Sequence, residues 1–401
     1  MMTEAPVYLD YNATTPLAPE VESAIRDSLT LWGNPSSGYR TGTRAREAVR
    51  EARQRLADMV GAEVGEITFT SGGTESNHLA IWSALALHRS SHGSSGLPHV
   101  VTSNIEHPAI TGPLVALERE GWCRVTWVPV VRGAGRWTVE SVLDSLSADT
   151  CLVTVMLANN ETGILQPVAE LFSRIRQSSH SRPPLILHTD AAQAIGKVKV
   201  EVKELCADMM TVVGHKFYGP RIGCLYHRAG VAVTPMLYGG GQEGGLRPGT
   251  ENTPMIVGLG AAALLVTRNI EQYRDHLRTM RDHLRDQLIR HFKLVTSDEP
   301  VKLARGEICW RYVDRLTLPN TLSVRFGGWT GPRLLAACEA DLEASCGAAC
   351  HTGAGASHTL LNSFLWGEPG AAETVRLSVG RETSRADIER VVAALKAATD
   401  C

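Results

Sequence analysis

Val212-Val213-Gly214-His215-Lys216-Phe217-Tyr218-Gly219-Pro220 is the stretch from which the rest of the chain can be read. An apolar run from Met209 to Val213 ends in glycine, histidine and lysine, and a second run, Ile222 to Tyr226, follows. Lys216 is therefore either a solvated turn residue or an amine set against a low-dielectric floor. Low dielectric disfavours the ammonium form and frees a neutral amine, which can attack a carbonyl. The flanking sequence has to decide between the two.

Working upstream, strand-like and helix-like segments alternate. Glu66 to Thr70, His99 to Ser103, Arg124 to Val130, Cys151 to Ala158 and Leu185 to Thr189 read as strands. Thr74 to Leu87, Thr111 to Glu120, Val139 to Ser145 and Val168 to Ser178 read as the helices between them. Such alternation predicts an α/β fold with a mostly parallel sheet covered on both faces. Sheets of that kind carry their chemistry in loops at the carboxyl ends of the strands. Before this region, Glu20 to Leu31 and a stripe of Ala45, Val49, Ala52, Leu56 and Met59 predict two helices. His88 to Pro98, rich in Ser, His and Gly, reads as an exposed loop. The style changes after Gly249. Asn269 to Phe292 has the apolar spacing of a long amphipathic helix bridging to a second domain, and Ser384 with Asp387 opens a last helix as a capping box.

Several strand ends carry candidate chemistry. Ser71-Gly72-Gly73-Thr74-Glu75-Ser76 follows a strand and opens a helix, an arrangement suited to phosphate or to a plain capped turn. Asp190 ends Leu185-Ile186-Leu187-His188-Thr189-Asp190. A carboxylate there is a backbone-satisfied core residue, a metal ligand, or the acceptor for a protonated ring nitrogen. A phosphate cradle, an aspartate at one strand tip and a lysine at another match the needs of pyridoxal phosphate: phosphate gripped, ring nitrogen paired, aldehyde held. His107 also follows a strand and could stack on a flat cofactor and shuttle protons. Asn160 and Gln193 are strand-end amides that could donate to a ring oxygen or serve as turn residues. Arg376, inside a strand-like run, demands an anion, whether a substrate carboxylate or a structural partner. Cys350 sits among glycines and small residues that suggest a loop exposing a thiol. Cys346, Cys350, His351 and His358 raise a zinc alternative, but no C-x-x-C spacing supports it, and no metal is expected.

Asp10-Tyr11-Asn12-Ala13-Thr14-Thr15-Pro16, Gly33-Asn34-Pro35-Ser36-Ser37, Asn159-Asn160-Glu161-Thr162-Gly163, Asp190-Ala191-Ala192-Gln193, Gly214-His215-Lys216 and Arg247-Pro248-Gly249-Thr250-Glu251-Asn252 follow one another in the chain. With these motifs, from about Tyr8 onward, the sequence resembles the cysteine desulfurase and selenocysteine lyase family of pyridoxal phosphate enzymes. The Val212 to Gly223, Arg247 to Pro254 and Gly347 to His351 stretches look most like the selenocysteine lyase branch. Val213, where desulfurases commonly have a phosphate-binding serine, agrees with that branch. Pro108, after the histidine, matches neither branch.

The resemblance implies an aminotransferase-like fold of type I, with a large domain at 17–255 and a smaller one formed by 1–16 and 256–401. It implies pyridoxal 5'-phosphate as cofactor, with Lys216 carrying the Schiff base, Asp190 on the ring nitrogen, Gln193 on the ring oxygen and His107 stacked on the ring. Gly73, Thr74, His215 and a partner subunit's Thr250 would hold the phosphate. Arg376 would take the substrate carboxylate, with Asn12, Asn34 and Asn160 nearby, and Cys350 would be the catalytic thiol. The implied activity is removal of selenium from L-selenocysteine to give L-alanine. Sulfur removal from cysteine is the alternative, and a catalytically silent scaffold in sulfur or selenium delivery is a role of another class. A homodimer with sites at the interface and a selenium- or sulfur-accepting protein are the implied partners.

Composition sets outer limits. The 401 residues carry a formal charge of −2, with 43% hydrophobic and 20% charged residues, which argues against nucleic acid or anionic membrane as general partners. The longest apolar run, Met255 to Val266, is too short to span a bilayer. Nine cysteines, mostly in apolar surroundings, and a start without a basic or apolar leader lead to the expectation of a cytoplasmic protein with free thiols.

Overall fold

The computed structural model describes residues 5–92, 96–131, 133–178, 185–296, 302–310, 316–347 and 367–400. Numbering strands along the chain, the large sheet contains β2 (Ile67–Thr70), β3 (His99–Ser103), β4 (Arg124–Val128), β5 (Thr150–Met156), β6 (Ile186–Asp190), β7 (Met209–Val213) and β8 (Gly223–His227). Its seven strands are ordered β2-β8-β7-β6-β5-β3-β4. The β3–β4, β3–β5, β5–β6 and β6–β7 ladders are parallel, while β8 runs antiparallel to both β2 and β7. The carboxyl ends of β2, β3, β5, β6 and β7 therefore share one edge of the sheet.

Alternating strand residues feed two different cores. Val101, Val153, Leu187 and Met210 belong to one apolar cluster, and Val100, Leu152, Ile186 and Met209 to another. The second face meets Leu79, Ala80, Ala84 and Leu85 of the helix Gly73–His92, and Ile110 and Leu114 of the helix Pro108–Arg119. Burial on both sides explains why β5 is buried at every position and apolar except at Thr150 and Thr154. Toward the carboxyl ends the second face turns polar, from Ile186 to His188 to Asp190 along β6. His188, fully buried, bridges Thr154 Oγ1 at 2.8 Å and Thr211 Oγ1 at 3.1 Å. Burial pulls its pKa down to about 4 against the opposite pull of Asp190.

A smaller unit holds a sheet of β9 (Lys293–Leu294), β10 (Glu307–Cys309), β11 (Thr321–Phe326) and β13 (Thr374–Ser378), and a pair of β1 (Val7–Tyr8) with β12 (Leu342–Glu343). Its core includes Leu9, Leu284, Leu288, Val324, Leu377 and Val391. The last helix, Arg385–Asp400, begins with the expected reciprocal cap: Ser384 N donates to Asp387 Oδ2 at 2.9 Å, and Asp387 N donates to Ser384 Oγ at 3.1 Å.

Two segments differ from the sequence reading. The helix of the smaller unit does not begin near Asn269; a single 39-residue helix runs Thr253–His291, capped by Asn252. Ile256, Leu259, Ala262 and Val266 pack with the large core, and Leu277 to Leu288 with the small one. The expected boundary at 255/256 thus falls in the first turn of the bridging helix, and residues 256–266 pack with the larger domain. By length and composition this helix could cross a membrane, but half of its most apolar window is buried in the fold. The second difference lies at His88, where the first helix over the sheet continues to His92 instead of opening into a loop.

Candidate active site

Strand ends and the turns after them converge on a cavity of about 230 Å³. Gly73, Thr74, His107, Asn160, Asp190, Gln193, His215, Lys216, Arg376 and Asn12 all line it. The sequence reading drew these residues from seven separate segments, and the sheet topology brings them together. Gly73 is required by contact: a Cβ there would lie 2.6 Å from Cγ2 of Val213, so helix start and strand end touch only through hydrogen.

The Lys216 turn is held by strain offset elsewhere. Tyr218 adopts φ 67, a left-handed conformation that costs a non-glycine residue about 1–3 kcal/mol. Its N–H donates to Thr15 Oγ1 at 2.7 Å, its hydroxyl donates to Glu382 Oε2 at 3.0 Å and accepts from Arg381 N, and its ring stacks on Tyr11. Lys216, half-buried, donates through Nζ to the carbonyls of Asn12 and Ala13, each at 2.8 Å. Those backbone carbonyls hold the amine in the cavity. His215 Nδ1 lies 3.0 Å from Thr14 Oγ1, and burial, then the charge of Lys216, push its pKa down to about 4.

Asp190 is buried and held from two sides. Its Oδ2 accepts from Asn77 Nδ2 at 2.8 Å and its Oδ1 from Ala192 N at 2.9 Å. His107 caps the helix Pro108–Arg119, its Nδ1 accepting from Ala109 N at 3.1 Å, which leaves the ring proton on Nε2. Pro108 occupies the first turn, where its missing N–H and fixed φ suit a helix start. Beside His107, Glu106 accepts at Oε1 from Ser103 Oγ and from Met156 N at 3.1 Å, while Oε2 is buried without a hydrogen bond. Burial, reinforced by Asp190, pushes its pKa up to about 8 against those two hydrogen bonds.

Gln193 is oriented at both ends. Its Nε2 donates to Asn12 O at 2.9 Å, and its Oε1 accepts from Lys197 Nζ at 2.7 Å. Lys197 is only 4% exposed; burial, then Lys216 and Arg376, pull its pKa well down. The Asn12 side chain is committed elsewhere, with Nδ2 donating to Thr321 Oγ1 at 2.8 Å and Oδ1 accepting from Asn320 Nδ2 at 3.0 Å. Asn12 therefore serves the site mainly through its carbonyl. Arg376 donates through Nη1 to Asn160 O at 2.7 Å and through Nη2 to Asp10 Oδ1.

Two expected site residues lie apart. Asn34 is exposed in its turn, Oδ1 accepting from Ser36 N at 2.9 Å, and Thr250 is exposed beyond Arg247. Neither lines the cavity. Cys350, and with it most of the zinc alternative, lies outside the described residues. Sequence reasoning missed Asn77, Lys197, Glu106 and the pairing of Asp10. Asn77 follows Gly73 by four residues and Lys197 follows Gln193 by four, the spacing of one helical face; Glu106 adjoins His107.

The aminotransferase class-V family model matches residues 7–391. The chain belongs to the class-V aminotransferase family. Among its relatives, the selenocysteine lyase of Xenopus tropicalis is 45% identical, covering 98% of this chain and 93% of that protein. A cysteine desulfurase of Trichormus azollae is 37% identical, covering 96% and 91%. The solved structure of a NifS-like protein superposes with a TM-score of 0.85 at 27% identity, over 98% of each chain. The class-V family member described here uses pyridoxal 5'-phosphate.

The residues present fit that group. Asp190 keeps acceptor capacity on both carboxylate oxygens after its two hydrogen bonds, as a protonated ring nitrogen requires. The helix start at Gly73-Thr74 offers N–H groups and the positive end of its dipole to a phosphate. Glu75 in that first turn is drawn up by burial but down more strongly by Arg247 and Ser71, tying the cradle to the loop that carries Thr250.

Proposed function

We propose that this chain is a selenocysteine lyase, taking selenium from L-selenocysteine and giving L-alanine and, with an external thiol as the two-electron reductant, a reduced selenium species. The observation that carries this reading is the higher identity to a selenocysteine lyase than to a cysteine desulfurase, 45% against 37%, over nearly the whole chain. When bound, pyridoxal phosphate supplies an electron sink that eases bond breaking at the substrate Cα. Lys216 would hold the cofactor aldehyde and, once released from it, would take and return the Cα proton. Asp190, fixed by Asn77 and Ala192 N, would pair with a protonated ring nitrogen. His107 would face the ring, and Gln193, with Oε1 taken by Lys197, would offer its amide N–H to the ring oxygen. Gly73, Thr74 and His215 hold the phosphate. Arg376 binds the substrate carboxylate next to Asn160. Cys350 would supply a thiolate that takes the selenium, the S–Se bond forming as the Cβ–Se bond breaks and its electron pair staying on the carbon that becomes the alanine methyl.

The proposal includes a homodimer. Trp32 and Tyr238 are 80% and 83% exposed, in or beside the two segments that carry Asn34 and Thr250. Burial of those aromatics against a second copy would bring Thr250, and Asn34 with it, to the partner's cavity. A cytoplasmic setting, supported by the unpaired cysteines among the described residues, and a selenium-accepting partner complete the reading.

Alanine formation from L-selenocysteine and L-cysteine, measured side by side, tests the activity. Selenocysteine is expected to have the higher kcat/KM. Equal or better turnover of cysteine would assign the chain to the desulfurases.

A further inference from the structure

Arg376 holds two partners before any substrate arrives. Its Nη1 donates to Asn160 O, its Nη2 to Asp10 Oδ1, and its Nε is buried without a hydrogen bond. Arg376 lines the cavity and Asp10 does not, so the aspartate stands behind the guanidinium and a ligand meets its other side. A substrate carboxylate bound there would give one buried cation two carboxylates. In a site of low dielectric, that arrangement favours protonation of one of them.

We propose that Asp10 is a built-in counter-ion for Arg376 that takes up a proton from solvent when an amino-acid carboxylate binds to the same guanidinium. This rests on reading Arg376 as the carboxylate-binding residue. In the free enzyme the ionised Asp10 stabilises and aims a buried arginine. In the complex, neutral Asp10 leaves the full charge of Arg376 to the ligand.

The surroundings leave Asp10 as the carboxylate that responds. Burial raises its pKa above the ordinary aspartate value, outweighing the opposing Arg376 charge and hydrogen bond and the more distant Lys216. Tyr8, the last residue of β1, is pushed up to about 12 by burial and by Asp10. Cys346, after β12, is pushed up to about 11, chiefly by burial. Both stay neutral across the working range. Arg376 of β13 and Lys216 of the β7 turn are the cations facing it. A second carboxylate adds negative charge next to Asp10, so its pKa rises further in the complex. Carboxylate binding must then take up protons and weaken as pH rises toward the pKa of the complex.

Propionate, a carboxylate with no amine to react, is the probe. Its binding to the holoenzyme is followed by calorimetry between about pH 6 and pH 9, in two buffers of different ionisation heat. Wild type is expected to take up protons on binding and to lose affinity as pH rises. Asp10→Asn is expected to abolish that uptake, flatten the pH dependence, and bind propionate at about pH 8 roughly tenfold more tightly, as one pKa unit of linkage implies. Absence of proton uptake in the wild type, or an unchanged pH slope in Asp10→Asn, would overturn the proposal. Arg376→Lys separates it from the reading beneath it. If that variant binds propionate as well as wild type, the carboxylate does not bind at Arg376 and both fall. If it binds weakly but Asp10→Asn keeps the wild-type slope, only the role of Asp10 falls.

Discussion

Two lysines flank Gln193 and Asn12, one at the tip of β7 and one in the turn after β6. Lys216 is half-buried, faces the cavity and donates to two backbone carbonyls. Lys197 is almost fully buried, does not line the cavity and donates to a single amide oxygen. Both donate to neutral oxygens. What separates them is access: only the lysine that reaches the cavity can exchange partners with a carbonyl compound. Burial alone does not make a nucleophile, and Lys197 uses its burial to fix an amide.

The largest effect should separate the two lysines. Lys216→Ala is expected to lower kcat by about a thousandfold or more, the upper range for loss of a proton-transfer group. Lys197→Met should lower it no more than about tenfold. Steady-state alanine formation checks both, and a Lys197→Met variant as inactive as Lys216→Ala would break the contrast. Next comes Asp190→Asn, which keeps the shape of the carboxylate but loses its charge. It should cost about a hundredfold in turnover, in the range of a lost electrostatic partner, and shift the pH dependence of the bound cofactor's absorption.

Lys197→Met should show a smaller but distinct effect. Gln193 Oε1 would lose its donor, at about 1–3 kcal/mol for an unsatisfied buried acceptor, offset in part by removing a buried amine. The amide would then turn freely, and equilibrium dialysis should show cofactor affinity falling severalfold with little change in thermal stability.

The smallest effect on turnover is expected at Glu106, which repeats the contrast among carboxylates. Asp190 has a partner on each oxygen and lines the cavity, whereas Glu106 has one oxygen without a hydrogen bond and faces none of it. The pKa of Glu106 rises from 4.5 to about 8 on folding, so the fold favours its protonated form. The stability this gives is present below the unfolded value and is lost as pH rises toward 8. Glu106→Gln, neutral throughout, should unfold in urea like wild type near pH 4.5. By pH 8 it should be more stable by on the order of a few kcal/mol. An equal gap at both pH values would contradict the assignment.

The site residues legible in the sequence were those at the ends of apolar runs. Lys216 and His107 follow a buried strand and Asp190 ends one, where a polar residue stands out. The residues that orient them were not legible. Asn77 matters only because β6 lies beside the helix that carries it, and Asp10 only because it meets Arg376 across 366 positions. Asn12 reads as a binding amide, yet its side chain is spent on Asn320 and Thr321. The start of the helix Thr253–His291 was hidden for another reason: with Ile256 to Val266 packed in the large core, it has no polar face to reveal its period. Thr250 and Asn34 point to a limit of another kind, since their proposed roles depend on a second copy of the chain.

Borohydride reduction of the purified, cofactor-loaded protein, followed by peptide mass spectrometry, tests the contrast between the lysines directly. A pyridoxyl group on the peptide carrying Lys216, with Lys197 unmodified, is the predicted result. Label on Lys197, or no labelled lysine in a protein that has bound the cofactor, would contradict the account.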